Sequence, residues 1–440
     1  MKTRLALWLL PALFVPGTAA PQDAPPRTNF VIVLADDMGW RDTGYSGNPV
    51  VKTPHLDDMA AKGLRFDYFY PGGQMCSPGR FAIMTGRSPF RTGLHHLGAM
   101  RPQEITVAKA LKTAGYRTAH FGKWHLGTGA TSPVKMGFDQ SIWSLNYFDL
   151  GAKLRVNDTE EFVPLQGDVS VAIMDLALEF IRKQAKEGRP FLAYVCSGSP
   201  HSPHRAADEF KALYKDLPEK QQNFWGEISG LDASVGKLRE ELRKLGIADN
   251  TLVWFTSDNG GITKDSMDPS GKGKQSVGNR TVGVLEWPAR IRQPVRVTMP
   301  CAHMDIYPTL LDIAGVKMPG QPPLDGISLV PLFDGKMRER PKPLGFMLWN
   351  GKKRFEEVDF VTDTQGVFVD GKYKLIVAPR NAPGKDAPVQ LYDIFEDPAH
   401  KDNLAEKLPE VVQKMRAALE AWQRSVRDSF DGKDFAAKKD

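Results

Sequence analysis

Residues 30–35 (FVIVLA) are apolar without interruption and run directly into Asp36-Asp37. A strand with one wet face alternates apolar and polar residues, so an unbroken run reads as a strand covered on both sides. Three further β-rich runs end in polar clusters in the same way. Residues 116–121 lead into Gly122-Lys123-Trp124-His125, residues 191–196 into Ser199-Pro200-His201, and residues 252–256 (LVWFT) into Ser257-Asp258-Asn259-Gly260. Helical patterns lie between them. One covers 104–114 and stops at Gly115; another covers 169–186 and stops at Gly188. In the third, Ile228, Leu231, Val235, Leu238, Leu242 and Leu245 recur at spacings of three and four. Strands alternating with helices predict an α/β domain with a mostly parallel sheet. Ligands in such folds sit beyond the carboxyl ends of the strands, so the four polar clusters should meet in one cleft.

The last hundred residues have a different pattern. Residues 366–369 and 373–377 flank Asp370-Gly371 as a β-hairpin, 391–395 form a short strand, and Pro409 opens a helix running to about residue 425. Val412, Met415, Leu419 and Trp422 lie on one face of that helix. The expected organisation is therefore a large mixed, mostly parallel sheet sandwiched by helices over 27–345, followed by a smaller α+β subdomain over 346–430. The loops 318–324 and 336–342 lie near the join. In 440 residues, 41% hydrophobic and 25% charged, a sizeable core is available, which sets aside disorder, collagen and coiled coil. A net charge of +6 with both signs interspersed argues for solubility and mild attraction to anions, not for binding nucleic acid.

Lys2 and Arg4 precede an apolar run over 5–15, and Gly17-Thr18-Ala19-Ala20 follows. This reads as a signal peptide, residues 1–20, cut after Ala20. The run is shorter than the ~18 or more residues that span a bilayer, and no later segment reaches that length. The expectation is an exported, periplasmic or secreted protein with no stable membrane anchor.

The segment richest in chemistry is Cys76-Ser77-Pro78-Gly79-Arg80, with Thr85-Gly86-Arg87 behind it. Ser77 then Pro78 suits a helix start, Ser as N-cap and Pro first in the helix. Cys76 would lie at the helix N-terminus, where the dipole lowers a thiol pKa. A buried structural cysteine before an ordinary helix fits the same residues. With only Cys76, Cys196 and Cys301 in the chain, at least one thiol is unpaired.

C-x-P-x-R followed by T-G-R resembles the formylglycine-dependent sulfatases of the alkaline-phosphatase superfamily, in their arylsulfatase A-like branch. Further blocks resemble that family in order: 29–39 (NFVIVLADDMG), Thr53-Pro54-His55-Leu56-Asp57, Gly122-Lys123-Trp124-His125-Leu126-Gly127, Pro200-His201-Ser202-Pro203, and Ser257-Asp258-Asn259-Gly260. Asp305, Pro308-Thr309, Gly315, Leu391-Tyr392-Asp393, Asp397-Pro398 and Asn403-Leu404 continue it towards the C-terminus. The resemblance implies that a maturation enzyme oxidises Cys76 to formylglycine. One hydroxyl of the hydrated aldehyde attacks sulfur, the alcohol leaves, and the second hydroxyl loses its proton as sulfate departs. It implies a metal held by Asp36, Asp37, Asp258 and Asn259 with the modified Cys76, an all-oxygen set suited to Ca2+, with Mg2+ the alternative. Arg80 steadies the nucleophile or the carboxylates. Lys123 contacts sulfate, His125 the hydrate, and His201 the sulfate or the leaving alcohol.

One block departs from the pattern. The family carries G-K-G, then E-G-G, then R-x-P; here Gly271-Lys272-Gly273-Lys274 is followed by Val277-Gly278-Asn279-Arg280, and Leu285-Glu286-Trp287-Pro288 restores the match. Lys272 is the expected sulfate lysine, with Lys274 the alternative. Gly79 replaces the more usual Ser, while Cys76, Pro78 and Arg80, read by the maturation enzyme, are intact. The implied function is a sulfuric-ester hydrolase acting on a sulfated small molecule or saccharide. Trp143 and Tyr147 are the expected exposed loop contacts to sugar. A phosphate mono- or diester hydrolase of the same superfamily and a silent sulfated-glycan-binding homologue are the alternatives.

Overall fold

The computed structural model describes residues 27–147, 150–261, 279–349, 351–380 and 389–435. The segment 1–20 expected as a signal peptide, Lys272 and Lys274 lie outside the described residues. Strands numbered along the chain form a ten-stranded sheet: β1 (Asn29–Ala35), β2 (Leu64–Phe66), β4 (Arg117–Lys123), β5 (Gln140–Ser144), β6 (Lys153–Val156), β7 (Phe162–Pro164), β8 (Phe191–Cys196), β9 (Thr251–Ser257), β10 (Gly283–Glu286) and β11 (Val295–Val297). The order is β11-β2-β10-β9-β1-β8-β4-β5-β6-β7. The five central strands β9, β1, β8, β4 and β5 are parallel. Antiparallel partners extend it, β10 beside β9 and β6 and β7 beyond β5. The pair β3 (Phe69–Tyr70) and β12 (Cys301–Ala302) stands apart.

The unbroken apolar runs are explained by two cores. On β1, Phe30, Ile32 and Leu34 enter one core cluster, and Val31, Val33 and Ala35 enter the other. β8 and β9 divide in the same way. One face is covered by α2 (Cys76–Thr85), α3 (Val107–Lys112) and α7 (Ile306–Ala314). α1 (Pro54–Lys62), α4 (Val169–Lys186) and α6 (Glu219–Lys244), joined by the short α5 (Asp208–Lys211), cover the other. α4 has the predicted bounds, because the Asp168 carboxylate caps it by accepting from Ser170 N and Val171 N. α3 is shorter than the predicted 104–114. Thr106 Oγ1 accepts from Lys109 N and starts the helix there, while Glu104 turns inward to Arg87 (2.7 Å).

After the one-turn helix α8 (Val330–Phe333), a four-stranded antiparallel sheet orders β13 (Leu344–Leu348), β14 (Gln365–Asp370), β15 (Tyr373–Val377) and β16 (Val389–Asp393). It opens just ahead of the boundary expected at residue 346. The predicted hairpin is present as β14–β15. The terminal helix α9 (Pro409–Phe430) runs beyond the predicted end near 425, and Met415, Leu419 and Val426 are buried along it. This is the alkaline-phosphatase-like architecture expected from the sequence. Among the described residues no helix is long and apolar enough to cross a membrane.

Candidate active site

The parallel register brings distant residues together. Ala35 pairs with Ser257, so the residues that follow β1 and β9 emerge side by side at the carboxyl edge of the sheet. Asp37 N donates to Asp258 Oδ1 (3.2 Å) and Met38 N to Ser257 Oγ (2.9 Å). Asp37 makes the tight reversal with φ 67°, a left-handed conformation that Asp tolerates better than most residues. From β8, Ser199 O accepts from Asp36 N (3.0 Å), which places His201 Nε2 at 3.3 Å from Asp37 Oδ2. From β4 comes Lys123, whose ammonium pairs with Asp36.

α2 delivers Cys76 into this group. The helix starts at Cys76 with Met75 as N-cap, not at Pro78 with Ser77 as cap as the sequence suggested. Ser77 Oγ is used elsewhere: it donates to His125 O (2.6 Å) and ties that loop to the helix start. All ten residues of α2 are buried, including the polar Ser77 and Thr85 and the charged Arg80. Cys76 Sγ lies 3.5 Å from Asp36 Oδ1, 4.0 Å from Asp37 Oδ1, 3.8 Å from Lys123 Nζ and 3.7 Å from Asn259 Nδ2.

Arg80, one turn on, is fully buried. Its Nε and Nη2 reach Asp258 Oδ2 at 3.0 and 2.9 Å, Nη2 lies 3.8 Å from Asp36 Oδ1, and Nη1 donates to Lys123 O (2.6 Å). Burial would raise the Asp36 carboxyl, but the Lys123 and Arg80 cations overcome it and hold Asp36 well below the usual range. Burial and the Asp36 charge push Asp258 up to about 7. The Cys76 thiol is also pushed far up, by burial and then by Asp258 and Asp36. The expected lowering by the helix N-terminus is therefore overturned, because desolvation and whole carboxylate charges outweigh a partial dipole charge. Cys76 as a plain thiol is a poor nucleophile at neutral pH.

The donors suit a hard cation. Ligand atoms of Asp36, Asp37, Cys76 and His201 all lie within 4.8 Å of one another. Asn259 donates through Nδ2 to Asp258 Oδ1 (2.8 Å), and its buried Oδ1 accepts no hydrogen bond among the described residues. Three clustered carboxylates with an unsatisfied amide oxygen fit Ca2+ or Mg2+ better than a soft metal. The sequence did not place His201 beside Asp37, because that proximity depends on the β1–β8 pairing.

Other expectations resolve differently. Trp143 and Tyr147 are buried, not exposed. Trp143 Nε1 donates to Asn157 O (2.6 Å) and Tyr147 Oη to Cys196 O (3.0 Å), so both brace the loops behind the site. Cys196 and Cys301 are buried thiols without a disulfide. His120 and His303 are buried and hydrogen-bonded within the core: His120 Nδ1 sits 3.0 Å from Ser141 Oγ, and His303 Nε2 sits 3.2 Å from Thr256 Oγ1.

The sulfatase family model matches residues 28–316, and the model for the N-sulphoglucosamine sulphohydrolase C-terminal region matches residues 276–425. The chain belongs to the sulfatase family and is a sulfuric-ester hydrolase. It is 35% identical over 379 residues to N-acetylgalactosamine-6-sulfatase of Mus musculus, covering 76% of this chain and 71% of the relative. It is 29% identical over 488 residues to arylsulfatase A of Bos taurus, covering 97% and 92%. The solved structure of Ps i-CgsB in complex with k-i-k-neocarrahexaose superposes with TM-score 0.81 at 25% identity, covering 92% of this chain and 94% of that one. Of the three functional readings made from the sequence, this is the hydrolase of sulfate esters.

Proposed function

We propose that this sulfatase cleaves sulfate esters of saccharides, using formylglycine formed from Cys76 and a bound Ca2+. The observation that carries the reading is the setting of Cys76, buried within 4.0 Å of Asp36, Asp37, Lys123 and Asn259. A thiol so hemmed in by carboxylates has no chemistry of its own to offer, whereas an oxygen nucleophile at that place lies beside a cation site. Oxidation of Cys76 by a maturation enzyme supplies a hydrated aldehyde as that nucleophile. A cation held by Asp36, Asp37, Asp258 and Asn259 supplies positive charge to the sulfate oxygens.

The chain's own residues do the rest. Arg80 fixes the Asp258 and Asp36 carboxylates and, through Lys123 O, the loop carrying Lys123 and His125. Lys123 offers its ammonium to the sulfate. His125 holds the nucleophile, and His201 protonates the leaving alcohol. Lys272 completes the sulfate contacts, with Lys274 the alternative. The saccharide substrate is supported by the relative named N-acetylgalactosamine-6-sulfatase and by the similar structure of Ps i-CgsB in complex with k-i-k-neocarrahexaose. The N-terminal pattern over 1–20 supports export.

Protein made with a maturation enzyme tests the reading. In the tryptic peptide 66–80, loss of the thiol and gain of a carbonyl at Cys76 is expected. That protein should release sulfate from aryl sulfates faster than phosphate from aryl phosphates, and should desulfate at least one sulfated saccharide. An unmodified thiol in fully active protein would overturn the mechanism. Restoration of stripped protein by Ca2+ and not by Mg2+ is expected for the metal.

A further inference from the structure

Beside the reaction centre, on the β5–β7 side, lies a cavity of about 610 Å3 that the chemistry above does not use. Its inner wall is continuous with the site. Ser144 pairs with Lys123 in the β4–β5 register, Trp124 N donates to Ser144 O and His125 N to Leu145 O, both at 3.0 Å. Its rim includes Thr128 and Gly129, only a few residues past His125. The cavity and the reaction centre therefore share the strand end at Ser144-Leu145, which backs both.

The lining is cationic and partly apolar. Lys135, Lys153 and Arg155 face one carboxylate, Asp158, which already accepts from Ser132 Oγ (2.9 Å). Arg155 is engaged by Glu160 (2.9 Å) and lies over the Phe162 ring at 5.2 Å. Lys135 and Lys153 are exposed and form no ion pair among the described residues. Phe162 and Leu145, 47% and 40% exposed, supply apolar surface of the kind that takes the face of a sugar ring. Unpaired cations, an aromatic face and a volume in the ordinary range for ligand sites together describe a receptor for an anionic saccharide unit.

We propose that this cavity is a second anion subsite. It takes a further sulfate or carboxylate of a polyanionic oligosaccharide whose scissile sulfate lies at Cys76, with Lys135 and Lys153 as its contacts. The inference rests on the saccharide reading above and narrows it to substrates carrying at least two anionic groups.

The test uses matured full-length enzyme and two oligosaccharides that share the hydrolysed ester, one with a second sulfate and one without. For wild type, KM for the disulfated substrate should be lower, and should rise more steeply with NaCl, than for the monosulfated one. In the Lys135→Ala/Lys153→Ala double variant, KM for the disulfated substrate should rise about tenfold, with kcat little changed and the difference between substrates largely lost. Because both side chains are exposed, a melting curve checks that the variant folds, and the wild-type salt dependence stands without it. Equal KM values for the two substrates in wild type, or equal losses on both in the variant, would overturn the subsite while leaving the saccharide reading intact. Hydrolysis of p-nitrophenyl sulfate with no sulfate released from any saccharide would overturn both.

Discussion

Gly79 shows how little room surrounds the nucleophile. A Cβ at that position would lie 1.9 Å from Asp258 O, so the absence of a side chain lets α2 close on the end of β9. The family's more usual Ser has no space here without movement. Gly79→Ala should lower stability by about 1–3 kcal/mol and reduce turnover, since the shift carries Cys76 and Arg80 with it. Denaturant midpoints and aryl sulfate kinetics would check this; wild-type values of both would mean that α2 can yield. Cys76→Ala is the complementary case. It should abolish sulfate release while leaving the fold intact, because the thiol carries no charge at neutral pH and Arg80 keeps its carboxylate partners. Any residual turnover in that variant would refute a role for position 76 as nucleophile.

At the scale of elements, α9 is docked to the catalytic body through a buried carboxylate. Asp325 accepts from Ser88 N (2.6 Å), Arg91 Nε (2.7 Å), Arg91 Nη2 (2.8 Å) and Trp422 Nε1 (2.8 Å). Burial alone would raise it, yet Arg91 and the other donors bring Asp325 from its ordinary 3.8 down to about 2. The folded value is below the unfolded one, so the stabilisation is complete above pH ~4 and is lost as pH falls from there through ~2. The shift corresponds to about 2 kcal/mol. Asp325→Asn should be less stable at neutral pH and should show a flatter loss of stability between pH 4 and 2. Urea midpoints measured across that range would decide it, and parallel profiles for variant and wild type would exclude the linkage.

Across the whole molecule, the cation site joins strands separated by more than two hundred residues. Asp36 and Asp37 follow β1, and Asp258 and Asn259 follow β9. A divalent ion bound only by the folded state should therefore act as a staple. EDTA should lower the melting temperature of the Cys76→Ala variant as well as of the matured enzyme, and Ca2+ should restore it. The inactive variant separates binding from catalysis. No change in its melting temperature on chelation and re-addition would remove the cation from the account.

Much of this was legible along the chain because it depends on local pattern. The FVIVLA run announced a strand with two covered faces, and the two cores divide its side chains alternately. The polar clusters after β1, β4, β8 and β9 announced a site at one edge of the sheet, and the C-x-P-x-R block named its centre. The short outer strands β2, β6, β7, β10 and β11, which flank the central parallel strands, gave no such signal, since three or four residues in a sheet are chosen by their neighbours and not by their own propensity. Trp143 and Tyr147 were misread for a similar reason: Trp143 lies within β5 and Tyr147 just beyond it, and whether such an aromatic is exposed or buried depends on what packs over it. The raised thiol of Cys76, the pairing of His201 with Asp37, and the cationic cavity beside Lys123 were decided by tertiary structure alone. Each depends on distance and desolvation between groups far apart in sequence, and those quantities exist only once the register of the sheet is set.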